Sequence, residues 1–256
     1  MSSSGLITQN FQIMTNDNKQ QKLSDSTDTA IAYSTCCVSG AVSKDGISLI
    51  HGDCLQALKS YGDNHFKIAI VDPPYGIGAG GTNFKNGTSK NKTIDFRDED
   101  WDKKIPPAEY WKELFRVSEN QIVWGGNYMT EYLPPKSCWL FWDKGTGDNS
   151  YADGELAWTS FNGAMRKITK SWVGANAKDG LERIHPTQKP IYLYKWILDK
   201  YTSEGDLILD THLGSGSIAI ACHQMKRKLI GYEIDAEYFQ KACKRFEEQT
   251  RQTALW

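Results

Sequence analysis

Long uncharged apolar runs are missing from this 256-residue sequence, so it offers no segment of the kind that crosses a bilayer as a helix. The N-terminus also lacks the basic and apolar regions of a secretory signal, and a cytoplasmic, prokaryotic-type location without membrane contact is expected. Cysteine is present but unpatterned: Cys36 and Cys37 are adjacent, Cys54, Cys138, Cys222 and Cys243 are scattered, and no C-x-x-C pair occurs. That spacing argues against a structural zinc site and for reduced, buried thiols. His51, His65 and His223 suggest no metal constellation, and no metal is expected. Net charge is almost absent, at −1, which removes the global attraction that a polyanionic partner usually receives. No internal repeat is evident, and the length suits one α/β domain with a large core and an inserted segment.

What the chain does have is Asp72-Pro73-Pro74-Tyr75, where the apolar strand at residues 67–71 runs into Gly76-Ile77-Gly78. Consecutive prolines remove two backbone donors and fix two φ angles, so the strand stops and nearby carbonyls are left to accept hydrogen bonds. Asp72 adds a carboxylate and Tyr75 an aromatic face. This set suits an exocyclic amine on a heterocycle, whose lone pair is delocalised into the ring. Acceptors that draw on both amino hydrogens make such a nitrogen more nucleophilic, most strongly in a dry site. Alone, the tetrapeptide fits a plain strand-terminating turn equally well.

A second constellation spans residues 207–217, the helical run 218–225 and the stretch 228–235, and reads as strand, glycine turn, helix, strand and acidic end. Gly214 and Gly216 permit a tight turn and close approach of a ligand, and Glu233 can accept both hydroxyls of a ribose. Asp210, directly before the turn, suits a positively charged amino-acid end better than a pyrophosphate. The turn by itself would also serve a nicotinamide oxidoreductase, in which residues 72–75 would have no role.

With these motifs the chain resembles the amino-methyltransferases of DNA, which transfer a methyl group from S-adenosylmethionine to adenine N6 or cytosine N4; the likeness covers most of residues 46–245. In that family Asp-Pro-Pro-Tyr is the catalytic motif and a Phe-x-Gly-x-Gly turn holds the cofactor. The tetrapeptide here precedes the turn, as in the permuted subgroup called the β class. His185-Pro186-Thr187-Gln188-Lys189-Pro190 looks like that subgroup's segment entering the cofactor pocket, and Gly52-Asp53-Cys54 resembles the acidic element facing the cofactor's adenine. The resemblance implies a circularly permuted, Rossmann-like α/β fold with a doubly wound, mostly parallel sheet. It implies catalytic roles for Asp72, Pro73, Pro74 and Tyr75. Cofactor contacts would come from Asp53, Cys54, Asp72, His185, Thr187, Lys189, Asp210, His212, Gly214, Gly216 and Glu233, with Lys189 facing the cofactor carboxylate or solvent. Thr211-His212 stands where the family usually has Pro-Phe, which puts the aromatic packing against the cofactor in question.

The reaction so implied is site-specific methylation of adenine N6 in double-stranded DNA, with the base rotated out of the stack, Asp72 and the Pro73 carbonyl accepting the amino hydrogens, and Tyr75 stacking on the base. A place in restriction-modification is expected. Cytosine N4 is the near alternative; the family's cytosine motif more often begins with Ser, so Asp72 favours adenine without excluding cytosine. A non-catalytic DNA-binding subunit is the other, and the intact Asp72 and glycines argue against it. No Pro-Cys pair is present for the thiolate chemistry of cytosine C5. DNA grip must come from local patches: Lys85 with Lys90 and Lys92; Arg166, Lys167, Lys170 and Lys178 with Arg183; and residues 226–228. The middle group lies in a short target-recognition segment, residues 162–183, and a homodimer or partner subunit is expected to supplement it. Residues 1–44 read as a flexible extension and 45–256 as the catalytic domain, with a lid loop at 76–104. Trp139, Trp142, Trp158 and Trp196 read as core, and Trp124 is ambiguous.

Overall fold

A computed structural model describes residues 40–78, 102–145, 152–169, 184–185 and 187–251. In chain order they form β1 (Ala41–Lys44), β2 (Ile47–His51), α1 (Cys54–Leu58), β3 (Ile68–Val71), α2 (Ala108–Val117), β4 (Gln121–Trp124), β5 (Trp139–Asp143), β6 (Gly154–Thr159), β7 (Arg166–Thr169), α3 (Ile191–Tyr201), β8 (Leu207–Asp210), α4 (Ser217–Gln224), β9 (Lys228–Glu233) and α5 (Ala236–Arg251). The strands make one sheet in the order β1-β2-β9-β8-β3-β4-β6-β5-β7. β2, β9, β8, β3 and β4 are mutually parallel, β6 opposes both β4 and β5, and β7 follows β5, so only β1 and β6 run against the rest. The mostly parallel α/β sheet is thus as expected.

Strand composition explains the layering. β3 (Ile-Ala-Ile-Val) is buried along its whole length, as a central parallel strand covered on both faces must be. One face packs against α3, α4 and α5 through Ile70, Trp142, Ile197 and Phe246, and the other against α1 and α2 through Val71, Leu58 and Leu114. Pro107 stands immediately before α2, where a missing N–H costs nothing, and Tyr110, Trp111, Leu114 and Val117 form its buried stripe. Trp124, Trp142 and Trp158 are all fully buried, which places the ambiguous Trp124 in the core. Trp139 and Trp196 are half-buried and pack against its rim.

The expected boundary at residue 44 needs one correction. Ala41–Lys44 is an edge strand paired antiparallel with β2, joined to it by the two-residue turn Asp45-Gly46 with φ of 49° and 80°. Asp-Gly is the preferred sequence for such a turn because both residues must adopt positive φ. The hairpin is tied down by Lys44, whose ammonium donates to Thr250 Oγ1 on α5 at 2.9 Å.

Candidate active site

The sheet brings the two motifs together by topology. β3 and β8 are adjacent and parallel, with Ala69 opposite Leu209, so Asp72 and Asp210 emerge at the same edge. β6 is the reversed strand, and its first residues therefore lie at the edge where its neighbours end: Glu155 pairs with Trp142 near the end of β5. The carboxylate of Glu155 thereby joins that of Asp72.

Asp72 is held from two sides. The Tyr75 hydroxyl donates to Oδ1 at 2.7 Å, and the Lys189 ammonium lies 2.5 Å from Oδ2. Lys189, with a side chain only 2% exposed, also reaches Glu155 Oε2 at 3.1 Å, and Lys144 holds Glu155 Oε1 at 2.6 Å. The ammonium sits 5.1 Å from the Trp124 ring centroid. Two carboxylates and two ammoniums thus form an alternating chain around the buried Lys189, the arrangement that burial of its charge demands. Burial works to lift Glu155, but the two lysines outweigh it and hold the carboxyl down at about 2. Burial works against the charge on Lys189, and Asp72 and Glu155 reverse this and raise it. Asp72 is itself raised, by burial first, with Lys189 opposing and Glu155 adding. Desolvation and the neighbouring Asp72 keep the Tyr75 phenol neutral, and so a donor.

The loop carrying Tyr75 is fixed by two residues that no local motif announces. Buried Asp102 accepts from the backbone N–H of Tyr75 at 2.6 Å and of Gly76 at 3.0 Å through one oxygen. Gly125, at φ 65°, lies against the Tyr75 ring, where a Cβ would stand 2.2 Å from Cε1. Only glycine fits there. Tyr75 stacks on Tyr128 with centroids 5.2 Å apart at 16°. The aromatic partner of Tyr75 in this structure is therefore a residue of the chain.

The second motif makes the neighbouring half of the crevice. Gly214 and Gly216 have φ of 52° and 69°, and Gly216 precedes the first residue of α4. Glu233 links the turn to the end of β9: Oε2 accepts from Gly214 N–H at 2.8 Å and Oε1 from Asp235 N–H at 3.0 Å. Asp53 caps α1 by accepting from Leu55 N–H at 2.8 Å, and Gly52 N–H donates to the Glu233 carbonyl at 2.9 Å, so the two acidic strand ends are adjacent. Cys54 follows, a free thiol pushed up to about 12 by burial and by Asp53. His185 stacks edge-on to Tyr238 at 4.4 Å and faces Gly214, with its Nδ1 3.1 Å from Thr187 Oγ1. His212 lies edge-on to Tyr110 at 5.6 Å, and burial lowers its imidazole to about 4, so a neutral imidazole ring stands beside the turn. Asp210 is buried, and its carboxylate accepts from His212 N–H at 3.0 Å. Among the described residues no cation stands within ion-pair distance of it, and desolvation raises it to about 8.

The proposed DNA contacts fare differently. Lys85, Lys90, Lys92, Lys170, Lys178 and Arg183 lie outside the described residues. Lys167 is ion-paired with Asp143 at 2.7 Å. Arg166 pairs with Leu140 in the first part of β5, toward the sheet edge opposite Asp72. It lines a surface cleft with Cys138, Lys200 and Tyr201. Among the described residues no group of three or more His, Cys, Asp and Glu is placed to hold a metal, and no helix is long and apolar enough to cross a membrane.

Nine strands among the described residues, helices on both faces and paired motifs at the carboxyl edge make this a methyltransferase-type α/β fold. The fold is similar to that of M1.HpyAVI in its SAM complex, at 20% identity and a TM-score of 0.51 over 78% of this chain and 99% of that one. A family model described as DNA methylase matches residues 130–244. The type II methyltransferase M.HpaI of Haemophilus parainfluenzae is 25% identical over 243 residues, covering 78% of this chain and 74% of that protein. M2.DpnII of Streptococcus pneumoniae is 23% identical over 259 residues, covering 80% and 91%. These matches support an S-adenosylmethionine-dependent DNA amino-methyltransferase of the N6/N4 type.

Proposed function

We propose that the protein transfers a methyl group from S-adenosylmethionine to adenine N6 of a base flipped out of double-stranded DNA. The observation that carries this reading is the meeting of Asp72-Pro73-Pro74-Tyr75 with the Asp210 and Gly214–Gly216 turn at one edge of the sheet. The residues present fit the cofactor. Asp210 is a buried carboxylate without a counter-ion among the described residues, which suits a cationic amino-acid end, and Glu233 and Asp53 converge where a nucleoside would lie. S-adenosylmethionine supplies an electrophilic methyl on a positively charged sulfur. His185, Thr187 and the Gly214 turn would border it, and His212 and Cys54 would line the same side.

The chain's own contribution is acceptance and exclusion. Asp72 and the Pro73 carbonyl accept the amino hydrogens and orient the nitrogen lone pair, while the low-dielectric surroundings of Asp72 strengthen those bonds. Tyr75, held by Asp102 and Gly125, offers its ring to the base once Tyr128 yields. Asp72, raised by burial, is suited to receive the proton that the methylated nitrogen sheds. Asp72 at the head of the tetrapeptide favours adenine over cytosine N4, and the names of the type II relatives fit a restriction-modification role. The near-zero net charge favours a second copy or a partner subunit to complete the DNA grip. Incubation with labelled S-adenosylmethionine and unmethylated DNA, followed by nucleoside mass spectrometry, tests all of this. N6-methyladenine is expected; N4-methylcytosine would overturn the base assignment, and no labelled nucleoside would overturn the activity.

A further inference from the structure

We propose that Lys189 is a positioning residue that occupies Asp72 in the resting site and passes to Glu155 when a base enters. The inference rests on the reading of Asp72 as the amine acceptor. Both oxygens of Asp72 already carry a donor, the Tyr75 hydroxyl at 2.7 Å on Oδ1 and the Lys189 ammonium at 2.5 Å on Oδ2. Each oxygen keeps a second lone pair, but an incoming amino group gains the full acceptor strength of Asp72 only if one of these donors withdraws. Tyr75 has little freedom, because its backbone is pinned by Asp102 and its ring rests on Gly125.

Lys189 does have a second seat. Glu155 Oε2 lies 3.1 Å from its ammonium, so moving wholly onto Glu155 takes only a small rotation of a long side chain. Glu155 can hold two cations because Lys144 engages the other oxygen, at 2.6 Å. The Trp124 ring, 5.1 Å from the ammonium, gives the charge a favourable face within the same pocket. Asp72 also feels Tyr75 on its own loop, Tyr194 on α3 and Asp210 on β8, and none of these carries a compensating positive charge. Withdrawal of Lys189 therefore raises the proton affinity of Asp72 at the stage when the methylated nitrogen has a proton to lose. The N–H bond breaks and an O–H bond forms on Asp72, which is returned to carboxylate by solvent after release.

The test begins without DNA or cofactor. Protein labelled with 13C at aspartate carboxyls is titrated by NMR, with the Asp72 signal assigned through Asp72→Asn. The Asp72 midpoint should rise by at least about one pH unit in Lys189→Met, hold near wild type in Lys189→Arg, and fall in Glu155→Gln, where a like charge has been removed. Single-turnover methylation of unmethylated plasmid DNA should show the acid limb moving in the same directions. Glu155→Gln, which denies the ammonium its second seat, should slow turnover roughly tenfold or more with unchanged S-adenosylmethionine affinity. An unmoved Asp72 midpoint in Lys189→Met overturns the proposal, and if cofactor affinity falls in that variant instead, Lys189 belongs to the cofactor carboxylate. Should Lys189→Met not fold, Lys189→Gln removes the charge while keeping a polar group, and an unmoved Asp72 midpoint there overturns the proposal equally. If the wild type methylates nothing, the proposed activity falls, while the carboxyl titration still decides whether Lys189 governs Asp72.

Discussion

Asp210 gives the sharpest quantitative expectation. Its carboxyl lies at about 8 because desolvation favours the neutral form, with Asp72 and Glu233 adding and only the His212 N–H and the more distant Lys189 opposing. At pH 7 a group with that value is about nine-tenths protonated. A cationic ligand end requires the carboxylate, so binding of S-adenosylmethionine at pH 7 should release about 0.9 proton and be about tenfold weaker, or ~1.4 kcal/mol, than binding to the ionised site. Affinity should therefore climb about tenfold per unit from about pH 6 and level off near the Asp210 value. The sign for the free protein is opposite. The folded state holds a proton that the unfolded chain, with its ordinary value of 3.8, gives up, so this group's contribution to stability is complete below that value and is lost as pH rises toward about 8. Calorimetry in two buffers of different ionisation enthalpy counts the proton directly. The ligand's α-amino group titrates near 7.7–8.0 in any protein, so Asp210→Asn is the reference and its affinity should lack the acid-side climb. A wild type that releases no proton at pH 7, or that matches the pH profile of Asp210→Asn, refutes the placement of the cationic end at Asp210.

The same geometry sets three further expectations. Asp72→Ala and Asp72→Asn should both abolish methyl transfer with DNA binding largely intact, and Asp72→Ala should lower the melting temperature more than Asp72→Asn, because the amide can still accept from the Lys189 ammonium whereas alanine leaves it Glu155 alone; near-normal turnover in either eliminates the mechanism. Glu233→Ala should weaken S-adenosylmethionine by about 1.5–3 kcal/mol, since it removes the acceptor of the Gly214 and Asp235 amides as well as the ribose acceptor, and unchanged affinity by calorimetry would place the ribose elsewhere. Replacing Arg166, Lys167 and Lys170 by alanine should flatten the salt dependence of DNA binding by about 0.9 for each phosphate that these side chains neutralise. Lys167 can leave the half-exposed pair with Asp143 at little cost. A wild-type slope would move the DNA surface to residues 76–104.

The parts of this molecule legible in the sequence are those whose cause is local. Two prolines stop β3, the Gly214–Gly216 turn precedes α4, and runs such as Leu-Ile-Leu-Asp have no other place than a covered strand. The Asp45-Gly46 hairpin is equally local, but the polar composition of the residues before it obscures it. Glu155 and Asp102 belong to another kind. Asp102 acts on Tyr75 across 26 intervening positions, and nothing in its own neighbourhood marks it. Glu155 is the second residue of a mostly apolar strand, and its meaning depends on that strand running backwards between β4 and β5.

Lys189 stands where local and distant causes meet. Its sequence context points to the cofactor, and a lysine beside a cofactor carboxylate would be an ordinary exposed donor. The fold instead buries it between Asp72 and Glu155, a position where an unpaired ammonium would be too costly to keep charged. The reversed strand is what makes that burial tolerable, because it delivers the second carboxylate to the end of the sheet where Asp72 already stands. Remove Glu155 and Lys189 has one partner, which the substrate also needs; keep it, and the same ammonium can neutralise the resting site and still withdraw from Asp72. The antiparallel strand β6 is therefore tied to the chemistry through Glu155, and its orientation constrains the active site as directly as the tetrapeptide does.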